Sequence, residues 1–419
     1  MIELSPEDQR RADGRDGALL QFMQRLVNQA ALAFGADRLI DVSFAHIDAC
    51  HFNGQAHRDF ARWLVNEGAR FDRVPTWTNT LPVSLLNNHS RAKADPDFVA
   101  RAREVGEIYA QLGCEPVYTC APYQLPDGPQ RGDHIVGSES NAVAFYNAVV
   151  GAKTLKYGDF LDVACALTGR APFAGLHTEQ GRAGSLIFDV SKALHHRPID
   201  ETFYHLLGAL LGRRAGSQVP VVLGMEGVRP SPDNLKALCA AGAATGGLAH
   251  FHIVGVTQDA ATLGQALNPN QQPAEVIDLG EEDFAETFTA LSPIRSGPVS
   301  MVALGTPHFS PAEFEQLADQ LKDRQIAPNT AVLVSTSRFV GEIAREAGHL
   351  EVLARAGVEV LFDTCTYFSP AVTAASGTVM TNSAKWAFYA PGMLPVSVAF
   401  GSLEDCVESA VRGEVTCRT

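Results

Sequence analysis

No two cysteines of this chain stand in a Cys-x-x-Cys spacing, although eight are present, at 50, 114, 120, 165, 239, 365, 406 and 417. Such scatter over 419 residues excludes a disulfide-stapled scaffold and predicts reduced thiols. A basic run is equally absent: 33 Lys and Arg face 47 Asp and Glu, a formal charge of −14, so nucleic acid and anionic membrane are poor partners. The longest apolar stretches, such as Gly247 to Val256, are broken by His and Gly and are too short to span a bilayer. The N-terminal MIELSPEDQRRADGRDG lacks the apolar segment of a secretory signal, which predicts a cytoplasmic location. Missing too are the phosphate-cradling GxxxxGKS/T, a GxGxxG after a strand, HExxH and GxSxG, so the common nucleotide, zinc-protease and serine-hydrolase chemistries have no carrier.

What is present reads as a folded enzyme. Hydrophobic residues make up 46% and charged residues 19%, ordinary for a globular chain, and the length exceeds one small core, so two or three lobes are expected. Helical spacing covers 16–35, 56–67 and 97–112, while VPTWTNTLPVSLLNNH reads as an ordered loop and APYQLPDGPQRGDHIVGSE (121–139) as a long one. A helix is predicted to begin near Glu139 to Asn141. The second half alternates: strand candidates at 219–224, 248–256, 300–305, 330–336 and 358–363 are separated by helical stretches, which predicts a parallel sheet with helices on both faces. Ser231-Pro232 and Ser310-Pro311 suit an N-cap followed by the first helical residue. In parallel sheets ligands bind at the carboxyl ends of strands. Gly305-Thr306-Pro307-His308, Thr336-Ser337-Arg338 and Asp363-Thr364-Cys365 all fall there.

Several short stretches carry chemistry. FAHID (44–48) delivers His46 and Asp48 on one face of a strand end, with Cys50 close behind; a relay of protons and a hydrogen-bonded polar pair are equally good readings. TCAPYQLP (119–126) puts Cys120 before the long loop, where the thiol is either a ligand or a core filler. Cys165 and Cys239 sit in helical apolar patterns and read as core, as do Cys406 and Cys417. GSESNAVAFYNAVVGAKTLKYGD (137–159) and GTVMTNSAKWAFYAPG (377–392) are dense in groups that hold carboxylates and hydroxyls, and the first has a polar helix start suited to an anion.

Together AHID (45–48), TCAPY (119–123), ESNAVAFYNAVVGAKTLKYGD (139–159), ALTGRAPFAGLH (166–177), FHIVGVT (251–257), LGTPHFS (304–310), STSR (335–338), DTC (363–365), TNSAKWAFYAPG (381–392) and FGSLEDCVESAV (400–411) resemble, in order, the large catalytic part of the aconitase X family. The resemblance implies an α/β fold of aconitase-like type, with several α/β/α lobes and mostly parallel sheets around a central cleft. Approximate lobes are 1–215 and 216–419, with the small swivelling domain absent from the chain. It implies a hydro-lyase acting on a small hydroxy acid, with an iron–sulfur cluster ([2Fe–2S], or a 3Fe or [4Fe–4S] type) as Lewis acid. It also implies a small partner subunit that supplies a serine base. Cys120 and Cys365 match expected cluster ligands. Position 306 is threonine where phosphate-using relatives carry LGCPH, and a hydroxyl is a poor soft ligand, so Cys50 is the expected third thiolate. His46, Asp48, Glu139 and Lys385 are implied catalytic residues, and Ser140, Asn141, Arg338 and Ser383 substrate-binding ones.

Within the family, Thr306 with Cys50 and a composition unlike Lys/Glu-rich hyperthermophile chains favour a cis-3-hydroxy-L-proline-type substrate over mevalonate 5-phosphate. The remaining readings are a cluster-free small-molecule binding protein and a mononuclear zinc- or iron-dependent hydrolase built on the same thiols.

Overall fold

The computed structural model describes residues 2–48, 51–87, 94–195, 197–267, 275–373 and 376–417. Three parallel sheets organise these residues, each built from its own stretch of chain. The first has three strands, ordered Thr76–Thr78, Phe44–Ile47, Ile135–Gly137. The second has four, ordered His252–Ile253, Pro220–Leu223, Leu186–Asp189, Val276–Asp278. The third has five, ordered Val358–Phe362, Ala331–Thr336, Met301–Leu304, Gly377–Thr381, Val396–Phe400. Every neighbour pair in these sheets is parallel, and a separate antiparallel pair joins Leu39–Asp41 to Arg170–Pro172.

The alternation of the second half is real, but it feeds two sheets rather than one. The 219–224 segment pairs with Leu186–Asp189 on one side and with the 248–256 segment on the other, in the middle sheet, and the strand starting at residue 186 lies on the other side of the expected 215/216 boundary. Only His252–Ile253 of the 248–256 run is strand. The helix ends, by contrast, follow their capping chemistry. Ser231 and Ser310 each accept from the backbone N–H three residues on, with proline at the first turn, and the side chains of those third residues, Asn234 and Glu313, accept the cap residue's own N–H in return. Helices Glu201–Ala215 and Pro232–Gly246 touch backbone to backbone. A Cβ on Gly208 would lie 2.3 Å from the Leu238 carbonyl, so glycine is what permits that approach.

The third sheet reverses its winding between Met301–Leu304 and Gly377–Thr381, and a crevice opens beyond the strand ends at such a switch point. The loops there begin at Gly305 and Asn382. The carboxyl ends of all three first-sheet strands face the same crevice, and the two segments are fastened beside it. Asp363, buried and in the left-handed region at φ 68°, receives Arg338 through both carboxylate oxygens at 2.7 and 2.9 Å. It also accepts the Leu85 N–H at 3.1 Å on its side chain and the Leu81 N–H at 2.7 Å on its carbonyl. The carboxylate at the mouth of the Val358–Phe362 strand is therefore a rivet between sheets, two residues before Cys365.

Candidate active site

A cavity of about 300 Å³ lies where the first and third sheets meet. The first sheet supplies one wall strand by strand: Asp48 follows Phe44–Ile47, Asn79 and Thr80 follow Thr76–Thr78, and Ser138, Glu139 and Ser140 follow Ile135–Gly137. The third sheet supplies Cys365 and Lys385, and the long loop supplies Cys120. Tyr367, Phe368, Tyr389 and Met393 give the cavity an apolar rim.

Glu139 and Lys385 form the charged centre. Lys385 Nζ donates to Glu139 Oε1 at 2.6 Å and to Ser140 Oγ at 3.4 Å. Glu139 caps helix Ser140–Phe145: its Oε2 accepts the Ala142 N–H at 2.8 Å and the Asn141 amide at 2.5 Å. Burial pushes the Glu139 carboxyl up, but the Lys385 ammonium and the helix N–H outweigh it and hold the group below its ordinary value. Burial likewise works against the charge on Lys385, and the neighbouring carboxylate overcomes it, so this ammonium is firmer than usual. Asn141 also donates to the Cys120 carbonyl at 2.9 Å and accepts from Tyr123 at 2.6 Å, tying the helix start to the thiol loop.

Cys120 and Cys365 bring their sulfurs to 3.6 Å. Two thiolates on one tetrahedral metal with bonds near 2.3 Å stand about 3.8 Å apart, so the pair fits a metal centre. His308 completes a buried group of three potential ligands, all within 4.8 Å. Its ring is already engaged, however: Nε2–H donates to the Thr364 carbonyl at 2.9 Å and Nδ1 accepts from the Thr119 hydroxyl at 3.0 Å. What His308 gives the thiols directly is its backbone N–H, 3.3 Å from Cys120 Sγ. Burial lowers the imidazole to about 4 and raises the Cys365 thiol well above its ordinary range. Thr306 turns away into a different contact, its hydroxyl 3.0 Å from that of Thr366. Cys50 lies outside the described residues.

The other candidates divide. Asp48 lines the cavity; Asn79 donates to its Oδ1 at 2.7 Å, and its backbone N–H donates to buried Asp162 at 2.8 Å. Burial and the surrounding carboxylates raise the Asp48 carboxyl. His46 is fully buried behind the wall, donating to the Thr119 carbonyl at 3.0 Å, and burial lowers it to about 4. Asn141 and Ser383 also sit behind the lining. Ser383 caps helix Ala384–Met393, accepting from the Trp386 N–H at 3.2 Å and donating to the Thr306 carbonyl. Arg338 is placed elsewhere: it is spent on Asp363 and borders a separate cavity of about 230 Å³ with Trp77, Leu125 and Phe339. Sequence reasoning missed Asn79, Thr80 and Ser138. Asn79 was hidden because Thr76–Thr78 read as loop, although its β-branched and aromatic Thr-Trp-Thr run is a strand signature.

Among the described residues, no helix is long and apolar enough to cross a membrane. Comparison with known proteins places the whole architecture. The chain matches the aconitase X first domain over residues 1–180, the second domain over 184–289 and the third over 299–412. These are the three stretches that build the three sheets. It is 42% identical to the cis-3-hydroxy-L-proline dehydratase of Hypocrea jecorina over 98% of this chain and 69% of that one. Identity to the enzyme of the same name from Pseudomonas aeruginosa is 39%, over 97% and 69%. The phosphomevalonate dehydratase large subunit of Methanocaldococcus jannaschii is 29% identical, over 97% and 99%. The crystal structure of Thermococcus kodakaraensis aconitase X in its holo-form superposes with a TM-score of 0.86 at 28% identity, covering 98% of this chain and all of that one. The chain belongs to the aconitase X family and is a hydro-lyase, a dehydratase of the aconitase superfamily.

Proposed function

We propose that this dehydratase removes water from cis-3-hydroxy-L-proline or a close analogue. The observation that carries the reading is the opening of the Cys120–Cys365 pair onto the same cavity as the Lys385–Glu139 pair. The substrate is inferred from the two hydroxyproline dehydratases, which share more identity with this chain than the phosphomevalonate enzymes reported above. Cys120 and Cys365 are the proposed protein ligands of an iron–sulfur cluster, with Cys50 as the third thiolate because Thr306 and the ring of His308 are otherwise engaged. Such a cluster, when bound, supplies a Lewis acid for a departing hydroxyl.

The chain's own residues then hold and orient the substrate. Lys385 has two partners among the described residues and a third N–H available for the substrate carboxylate or hydroxyl, and Ser140 Oγ stands beside it. Glu139 keeps Lys385 charged and in place. Asp48, carried by Asn79, forms the opposite polar wall. His46 and Asn141 act through the Thr119 and Cys120 carbonyls on the position of the thiol loop. The base that removes the ring proton is assigned to a serine of a small partner. That assignment is supported by the large-subunit relatives, matched end to end, and by the greater length of the hydroxyproline dehydratases.

The test is turnover by the chain purified anaerobically with the small subunit. Dehydration of cis-3-hydroxy-L-proline, with bound iron and acid-labile sulfide that fall in Cys120→Ser and Cys365→Ser, is the expected result. Turnover of mevalonate 5-phosphate instead, or metal without sulfide, overturns the reading.

A further inference from the structure

The two carboxylates of the cavity are in different states of engagement. Glu139 has both oxygens filled, Oε1 by Lys385 and Ser140, Oε2 by Asn141 and the Ala142 N–H. Asp48 accepts one side-chain bond, from Asn79 to Oδ1, and among the described residues Oδ2 receives no hydrogen bond and no lysine or arginine pairs with the group. Lys385 pairs with Glu139 and Ser140; Lys156 and His51 also line the cavity, and His51 is the charge that most opposes the effect of burial on Asp48. Polarity is therefore split: a cationic side with an ammonium N–H unused among the described residues, and a carboxyl side whose Oδ2 is open among them. Aromatic and methionine side chains close the rim between them.

A hydroxy acid carrying no amine satisfies the first side and leaves Asp48 with only Asn79 and nearby His51 to offset burial in a largely desolvated wall, which is costly. A zwitterionic ring amino acid satisfies both, its carboxylate at Lys385 and its ring ammonium at Asp48, with the apolar rim against the ring carbons. We propose that Asp48 is the specificity-determining residue of this site, recognising a protonated secondary ring amine, and that Asn79 positions its carboxylate. The inference rests on the substrate class proposed above and narrows it to ammonium-bearing acids. A charge-assisted N–H···O bond of this kind is worth roughly tenfold or more in affinity.

Two ligands that differ only at the ring heteroatom test it: L-proline, and (S)-tetrahydrofuran-2-carboxylate, in which oxygen replaces the ammonium. Equilibrium binding to the metal-loaded chain should favour L-proline by at least roughly tenfold. In Asp48→Asn, with iron and sulfide content unchanged, the two affinities should converge to within about threefold, through a loss confined to L-proline. Equal binding of the two ligands by the wild-type protein overturns the proposal without any variant, as does an Asp48→Asn loss shared equally by both. Turnover of cis-3-hydroxy-L-proline is measured alongside. An amine preference that depends on Asp48 without that turnover sinks the assigned substrate and leaves the recognition standing. Turnover without the preference does the reverse.

Discussion

Two lysine–glutamate pairs are buried among the described residues to nearly the same depth, with side-chain exposures of 4% and 6% for Lys385–Glu139 and 4% and 8% for Lys236–Glu313. Burial cannot distinguish them; the remaining donors can. An ammonium has three N–H groups. Lys236 spends all of them, on Glu313, on Asp233 at 2.9 Å and on the His308 carbonyl at 3.3 Å. Its partner Glu313 sits in the first turn of helix Pro311–Leu321, accepts the Ser310 N–H at 2.7 Å, and has its carboxyl raised by burial. This pair joins a middle-segment helix to the loop that carries His308. Lys385 spends two donors and faces a cavity with the third. The same chemical pair thus serves in one place as a closed brace and in the other as an open site.

The largest expected effect separates these roles at Lys385. Replacing it with methionine removes the open N–H and should lower turnover by about three orders of magnitude. It also leaves Glu139 as an uncompensated buried charge, so the melting temperature should fall. Adding Glu139→Gln should restore the melting temperature without restoring turnover. Recovery of activity in that double variant would make Lys385 a brace like Lys236.

The mirror experiment is next in size. Lys236→Met should destabilise the protein by on the order of 3–5 kcal/mol, the usual cost of orphaning one partner of a buried pair. Coupling it to Glu313→Gln should recover most of that in thermal or urea unfolding. Turnover per folded molecule should stay within about tenfold of wild type, because no group touching the cavity changes. A loss as deep as that of Lys385→Met would show that the His308 loop needs its lysine for chemistry as well as for support.

How much of this contrast was legible in the sequence depends on the range of the interaction. The Ser231 and Ser310 caps are contacts three residues long, and their chemistry is written locally. The positions of Cys120, Cys365, Glu139 and Lys385 at strand ends and helix starts followed from alternation and motif. Asp363–Arg338 did not: both residues lie at strand ends, as expected, but whether an arginine there faces a ligand or a neighbouring carboxylate is set by how two sheets dock. Lys236 escaped notice for the same reason, since its partner is 77 positions away. The division of the alternating half between two sheets was equally hidden, because strand order leaves no local trace. Three short strands, Leu186–Asp189, Val276–Asp278 and Val396–Phe400, are four, three and five residues long, too brief for periodicity to separate them from loop.

A third buried carboxyl, Asp162, sharpens the comparison because no cation is paired with it among the described residues. It is fully buried and accepts from the Asp48 N–H at 2.8 Å, the Ser138 hydroxyl at 3.0 Å and the Val163 N–H at 2.7 Å. Those dipoles do not offset burial, which raises it from 3.8 to about 7; Glu139, with its lysine, moves the other way. A raised carboxyl binds its proton more tightly in the folded state than in the unfolded chain. Its stabilising contribution is therefore complete below pH 3.8 and is lost as pH rises through about 7. Between pH 5 and 8 wild-type protein should lose on the order of 2 kcal/mol from this group, and Asp162→Asn, which cannot ionise, should lose none of it. Urea unfolding of both proteins across that range reads the difference as a divergence of slopes. Parallel slopes would mean that the three donors alone hold Asp162 ionised, and that a buried carboxylate in this wall needs no lysine to keep its charge.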